Sequence, residues 1–163
     1  MTDSEARESR QLRLALLALA GLGLAGTAVE LVLERHWDGL EQLIPWPFLA
    51  AGVVSLVLLS IRPGAASVRV ARVLAAALFI GASVGIWRHV AANYDAGFLD
   101  FRYADRWPSM SGLDRWWHAA TKSVGPAPVL APGVLAQVGL ALLFATVRHP
   151  ALRSHAEEKS TIG

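Results

Sequence analysis

The stretch LRLALLALAGLGLAGTAVELVL, Leu12–Leu33, decides the fold. A helix needs about 20 predominantly apolar residues to cross the hydrocarbon core of a bilayer, and this run meets that length with only Arg13 and Glu30 interrupting it. A secretory signal is the competing reading, with Gly26-Thr27-Ala28 as the cleavage site. The apolar run passes straight through that tripeptide to Leu33, so a retained membrane anchor is expected.

Working outward, three further apolar segments follow. Pro45-Trp46-Pro47 opens the second, where proline costs a helix little because its missing N–H has no intrahelical partner at the first turn. That span covers 45–61 and ends at the turn signal Arg62-Pro63-Gly64. The third covers 68–89, with a short uninterrupted core, Val73 to Trp87, that Arg69, Arg72 and Arg88 extend toward the headgroups. The fourth, 129–147, follows Gly125-Pro126-Ala127-Pro128 and ends at Arg148-His149-Pro150.

Between the third and fourth spans lies one long loop, 90–128, of mixed charge and unusual aromatic content. Ser111 and Asp114 have the spacing of a capping box, and Leu113, Trp116, Trp117 and Ala120 recur at helical intervals. A short helix at the bilayer surface is expected there. Trp37, Trp46, Trp107, Trp116 and Trp117 are the expected interfacial aromatics, with their indoles at headgroup level. The sequence therefore predicts an all-α polytopic membrane protein: a four-transmembrane-helix bundle, 12–149, with an outer-surface interfacial helix and polar tails at 1–11 and 150–163.

Composition agrees. Of the 163 residues 54% are hydrophobic and 17% charged, more apolar and less charged than a soluble domain of this size. The arginines stand at the ends of apolar runs, where they anchor spans, rather than in the patches of a nucleic-acid binder, and no nucleic-acid partner is expected. The absence of cysteine excludes disulfides, thiolate metal ligands, thiol redox catalysis and attached c-type haem. Ser55, Ser60 and Ser83 lie in apolar spans without a base at matching depth, so nucleophilic hydrolysis has no foothold.

Lysine and arginine set the orientation. The first tail, the second connection (Arg62, Arg69, Arg72) and the last tail (Arg148, Arg153, Lys159) are basic, which predicts cytoplasmic N- and C-termini in a bacterial inner membrane. The first and third spans both end in Arg-His, at Arg35-His36 and Arg88-His89, and the second and fourth end in similar strings. A duplicated two-span hairpin and shared interface chemistry both account for this.

One polar cluster is a candidate site. Gly23, Gly26, Thr27 and Glu30 share a face of the first span, and Glu34 continues it toward His36. Gly81, Gly85, Arg88 and His89 share a face of the third span, and Gln137 aligns with Gly133 and Ala141 on the fourth. Small residues mark helix interfaces, so Glu30 is expected to look into the bundle with Arg88 as its partner. A carboxylate at a span's centre costs about 2.5–3.5 kcal/mol and is a functional candidate by default. Two readings stay open: an ion pair that fixes helix register, or a cluster of Glu30, Glu34, His36, Arg88, His89 and Gln137 that binds an ion, proton, small ligand or cofactor. No cofactor is expected. Haem or a metal at His36 and His89, with His118 on the same predicted side, is the minor alternative, since no ligand spacing supports it.

Two strings carry a resemblance: Glu30-Leu31 followed by His36-Trp37-Asp38, and Pro126 to Gly133 followed by Gln137 and Arg148-His149-Pro150. They resemble a group of small bacterial four-span integral membrane proteins with no assigned activity, over most of Leu12 to Pro150. The resemblance implies the topology and a bacterial plasma-membrane location. The expected function is a non-enzymatic accessory or scaffold role, with the lipid bilayer, another membrane protein or a homo-oligomer as partner; binding or transport at the polar cluster is the alternative.

Overall fold

The computed structural model describes residues 3–61 and 63–152. Among them are helices and turns and no strand. Arg62, Arg153 and Lys159, on which the orientation partly rests, lie outside the described residues.

Among the described residues six α-helices are bounded: α1 (Asp3–Leu33), α2 (Leu40–Leu43), α3 (Pro45–Ile61), α4 (Ala65–Ala96), α5 (Gly112–Ala120) and α6 (Leu130–Ala145). Short 3₁₀ turns at Gly97–Leu99 and Trp107–Ser109 lie between α4 and α5. Three helical segments, Asp3–Leu33, Leu40–Ile61 and Ala65–Leu99, are long and apolar enough to cross a membrane; α6 is apolar but shorter.

Two boundaries differ from the sequence reading. The N-terminal tail is helical from Asp3, where Asp3 and Glu5 in the first turn complement the positive end of the helix dipole. The third helix does not give way to a loop at Val90. It continues to Ala96, because Val90, Asn93 and Gly97 prolong its buried face at helical spacing.

The chain forms two units, Met1–Gly81 with Val134–Gly163, and Ala82–Gly133. In the first unit the buried positions of α1 are Leu17, Ala20, Leu24, Thr27 and Leu31, the alternating three- and four-residue spacing of a left-handed helix seam. Val68, Ala71, Ala75 and Leu78 repeat that spacing on α4. Alanines share the seams with leucines, and many large apolar side chains face outward. Ala20, Ala71 and Ala75 are fully buried, while Leu22, Val73 and Ile80 are 73%, 68% and 62% exposed. A chain that folded in water would cover such surface, whereas in hydrocarbon small residues let helices approach and large ones face the lipid. This is a membrane protein.

Glycines set the closest approaches in that unit. A Cβ on Gly139 of α6 would stand 2.8 Å from the backbone N and 2.9 Å from the Cα of Phe79 on α4. A Cβ on Gly23 would meet Val138 Cγ2 at 2.5 Å, one on Gly52 would meet Leu24 Cδ2 at 2.6 Å, and one on Gly81 would collide with the ring of Phe48. Ser55, buried on α3, donates to the carbonyl of Ala51 at 2.7 Å, within reach of that of Ala71 at 3.4 Å.

The second unit is built on rings. Its core holds Val90, Trp107, Ala119 and Val124, with Ile86, Tyr94, Tyr103, Met110, Trp116 and Val129 packed around it. Trp116 stacks on Trp87 and on Tyr94, with ring centroids 5.0 and 4.6 Å apart, and Tyr94 meets Trp107 edge-on at 5.7 Å.

Candidate functional site

The residues of the predicted polar cluster divide between the two units: Glu30, Glu34, His36 and Gln137 belong to the first, and Arg88 and His89 to the second. Glu30 is half-buried beside the α1 seam, which runs through Thr27 and Leu31; Gly26, expected on the packed face, is exposed with open space around it. Glu34 is exposed just past the helix. His36 is half-buried, and its carbonyl accepts from Trp46 Nε1 at 2.8 Å, a bond that ties the start of α3 to the end of α1. Gln137 lines a crevice of about 140 Å³ with Leu22, Gly23 and Val138; Glu30 does not line it.

Arg88 is exposed on α4. His89 is half-buried, with Nδ1 2.7 Å from the carbonyl oxygen of Pro128. A carbonyl only accepts, so Nδ1 carries the proton, and in the neutral ring the lone pair lies on Nε2. Among the described residues no group of three or more His, Asp or Glu side chains is placed to hold a metal ion.

The interfacial aromatics also occupy different environments. Trp37 and Trp117 are exposed, Trp46 and Trp116 half-buried, and Trp107 is 5% exposed, in the core of the second unit against Gly97. Trp107 therefore fills an interior rather than an interface. Helix α5 forms where its capping signal stands: Ser111 Oγ accepts from the Asp114 backbone N–H at 3.1 Å and donates to the Asp114 carboxylate at 2.7 Å.

Two polar arrangements went unrecognised in the sequence. In the second unit Asn93 is fully buried. Its amide donates to the carbonyls of Ala119 at 3.2 Å and Ala127 at 3.0 Å, and its oxygen accepts from the Ala127 N–H at 2.8 Å. One side chain thus joins α4, the end of α5 and the Gly125-Pro126-Ala127 turn. Gly125 takes a positive φ of 76°, and a Cβ there would lie 2.6 Å from the Asn93 Cα, so both backbone and space require glycine. Around this lock the Arg106 guanidinium lies 4.5 Å over Tyr103, and Arg115 lies 5.6 Å over Tyr94. Arg115 Nε and His118 Nδ1 are buried without a hydrogen-bond partner. At the rim Arg102 pairs with Asp100 at 2.7 Å and donates to the Ser123 carbonyl, and its guanidinium holds the Asp100 carboxyl below the usual carboxylate range.

The second arrangement finishes α6. Arg13 of α1 donates Nε–H to the Ala145 carbonyl at 3.1 Å. Arg72 of α4 donates to the Thr146 carbonyl at 2.8 Å and to Thr146 Oγ1 at 3.0 Å. Two cations from two other helices thereby satisfy the last carbonyls of α6, which carry the negative end of its dipole. His149 is buried beside them with Nδ1 3.3 Å from the Ala151 N–H; burial first, and the Arg13 charge second, push its pKa below the ordinary histidine value. Just beyond the helix end, Arg148 has φ 48°, in the left-handed region where glycine is usual.

Arg35 and Lys122, beyond the ends of α1 and α5, also adopt that backbone, with φ 48° and 53°. The sequence pairing of Arg35-His36 with Arg88-His89 therefore does not correspond to a shared structural role, since Arg88-His89 lies inside α4. Arg35 and Lys122 share the same turn: the next residue's N–H reaches back five positions, His36 to the Leu31 carbonyl and Ser123 to that of His118, whereas the His149 N–H bonds to Thr146.

No protein-family model, curated protein or solved structure matches this chain.

Proposed function

We propose that this chain is a four-span protein of the bacterial inner membrane, with α6 as the fourth span and both termini cytoplasmic. In this reading it is a non-enzymatic accessory protein whose segment Ala82–Gly133 docks on another membrane protein. The orientation is supported by Arg13, Arg72 and Arg148, from flanks expected to be cytoplasmic, all gathering around the end of α6.

The docking role rests on one observation. The second unit buries Trp107, Ala119 and Val124 to hold its shape, yet leaves Phe101 90%, Leu113 82% and Trp117 67% exposed. Large apolar side chains presented by an internally locked segment suit a contact surface. A photo-reactive amino acid in place of Leu113 tests this in intact cells. The expected result is a discrete cross-linked protein that disappears when Trp117→Ser is added; labelling of lipid alone would replace docking with surface anchoring.

A ligand-binding reading is favoured by His89, whose Nε2 lone pair is left by the bond to Pro128. The absorption spectrum and metal content of the same purified protein distinguish it from the accessory role.

A further inference from the structure

An open groove of about 360 Å³ runs between α1 and the end of α6. Its lining is apolar at Leu12, Leu16, Phe144 and Val147 and polar at Ser9, Arg13 and Arg148. Leu12 and Phe144 are 64% and 57% exposed, so the apolar lining is open to whatever surrounds the helices. No carboxylate lines it among the described residues. The carbonyl end of α6, which would repel an anion, is already engaged by Arg13 and Arg72. The bond to Ala145 uses one of the five N–H donors of the Arg13 guanidinium.

We infer that this groove binds an anionic phospholipid, its phosphodiester between Arg13 and Arg148 and one acyl chain along Leu12, Leu16 and Phe144. Charge complementarity selects the occupant: two arginines among the lining residues match a phosphate, which a guanidinium binds with paired N–H donors, and the apolar lining residues match a hydrocarbon chain. A water-soluble phosphoester leaves that apolar lining uncovered. Basic pockets between membrane helices on the cytoplasmic side are where anionic headgroups concentrate. The inference rests on the membrane reading and is independent of the docking role of the other unit.

The test uses the full chain in a non-ionic detergent, titrated with phosphatidylglycerol or phosphatidylcholine of identical acyl chains and read by native mass spectrometry. Phosphatidylglycerol should be retained preferentially. Arg148→Gln should lower that preference about fivefold, the effect of one basic residue on an anionic lipid, and Arg148→Lys should retain most of it. Arg148 is the primary variant because Arg13 also supports α6; unchanged circular dichroism shows that Arg148→Gln is folded.

Equal retention of the two lipids overturns the inference, as does a preference indifferent to Arg148→Gln. Displacement of the lipid by millimolar glycerol 3-phosphate would assign the groove to a soluble phosphoester. A Leu16→Trp variant that changes the oligomeric mass while leaving lipid retention intact would assign it to a second copy. Carbonate extraction of cell membranes separates the two levels: release of the chain defeats the membrane reading itself, whereas a carbonate-resistant chain without lipid preference defeats the groove alone.

Discussion

The two units of this chain solve the problem of cohesion in opposite ways. The first brings helices together at alanine and glycine, with backbone nearly touching backbone at Gly139 and Phe79, and keeps its cross-helix arginine bonds at the end of α6. The second packs tryptophan and tyrosine rings and ties its loops to one buried amide. In hydrocarbon, burying a leucine gains little over leaving it in lipid, so close van der Waals approach must supply the cohesion. A segment of turns and short helices has unpaired backbone groups at every bend, and side chains must satisfy them.

That contrast can be broken one unit at a time. The largest effect is expected from Asn93→Ala, which removes the partner of the Ala127 N–H and of the Ala127 carbonyl, while the Ala119 carbonyl still accepts from the Lys122 N–H. At about 1–3 kcal/mol per buried unsatisfied group, a loss of about 3 kcal/mol is expected. Near-ultraviolet circular dichroism, dominated by the clustered indoles, should collapse while the far-ultraviolet helical signal persists. Loss of both signals together would show that the aromatic segment does not melt separately.

Gly139→Ala should act on the other unit and somewhat less. The added methyl meets backbone at Phe79, which cannot rotate aside, and overpacking of this kind costs about 1–3 kcal/mol. Unfolding in mixed micelles of rising SDS fraction should shift to lower SDS, with the near-ultraviolet signal of the folded protein unchanged. A neutral result would mean that α4 and α6 slide apart at little cost.

The smallest effect is a pH dependence. His149 has a native pKa below its unfolded value, so in the window between the two the unfolded chain binds more protons and stability falls as pH is lowered. The decline should begin near the ordinary histidine value of about 6.5 and level off below the native pKa. His149→Gln should flatten that part of the profile; an unchanged slope would assign it to other groups.

Particular residues show how far the sequence could be read. Hydropathy alone reveals the long helices, because twenty apolar residues have few other uses. Ser111 and Asp114 announce α5, since a cap is a local interaction between neighbours in sequence. The end of α4 was obscured because Asn93, Tyr94 and Asp95 look like loop composition, although Ile86, Val90, Asn93 and Gly97 keep the helical interval. Choosing the glycine-threonine stripe of α1 over the Leu17, Ala20, Leu24, Thr27, Leu31 seam rotated the expected core face, which is why Gly26 faces open space. Arg13 and Arg72 were legible as anchors but not as partners of α6, because that bond spans most of the chain.

The length of α6 has its own consequence. Sixteen residues rise about 24 Å, several ångströms short of a hydrocarbon core of about 30 Å. As the fourth span of the proposed topology, it obliges the surrounding lipid to thin, or its flanking arginine to reach outward, at a cost of a fraction of a kcal/mol for each ångström. Acyl-chain length thus becomes a variable to which this protein responds: bilayers of short chains accommodate α6 undistorted, and thicker ones strain it where Arg13 and Arg72 fasten its end.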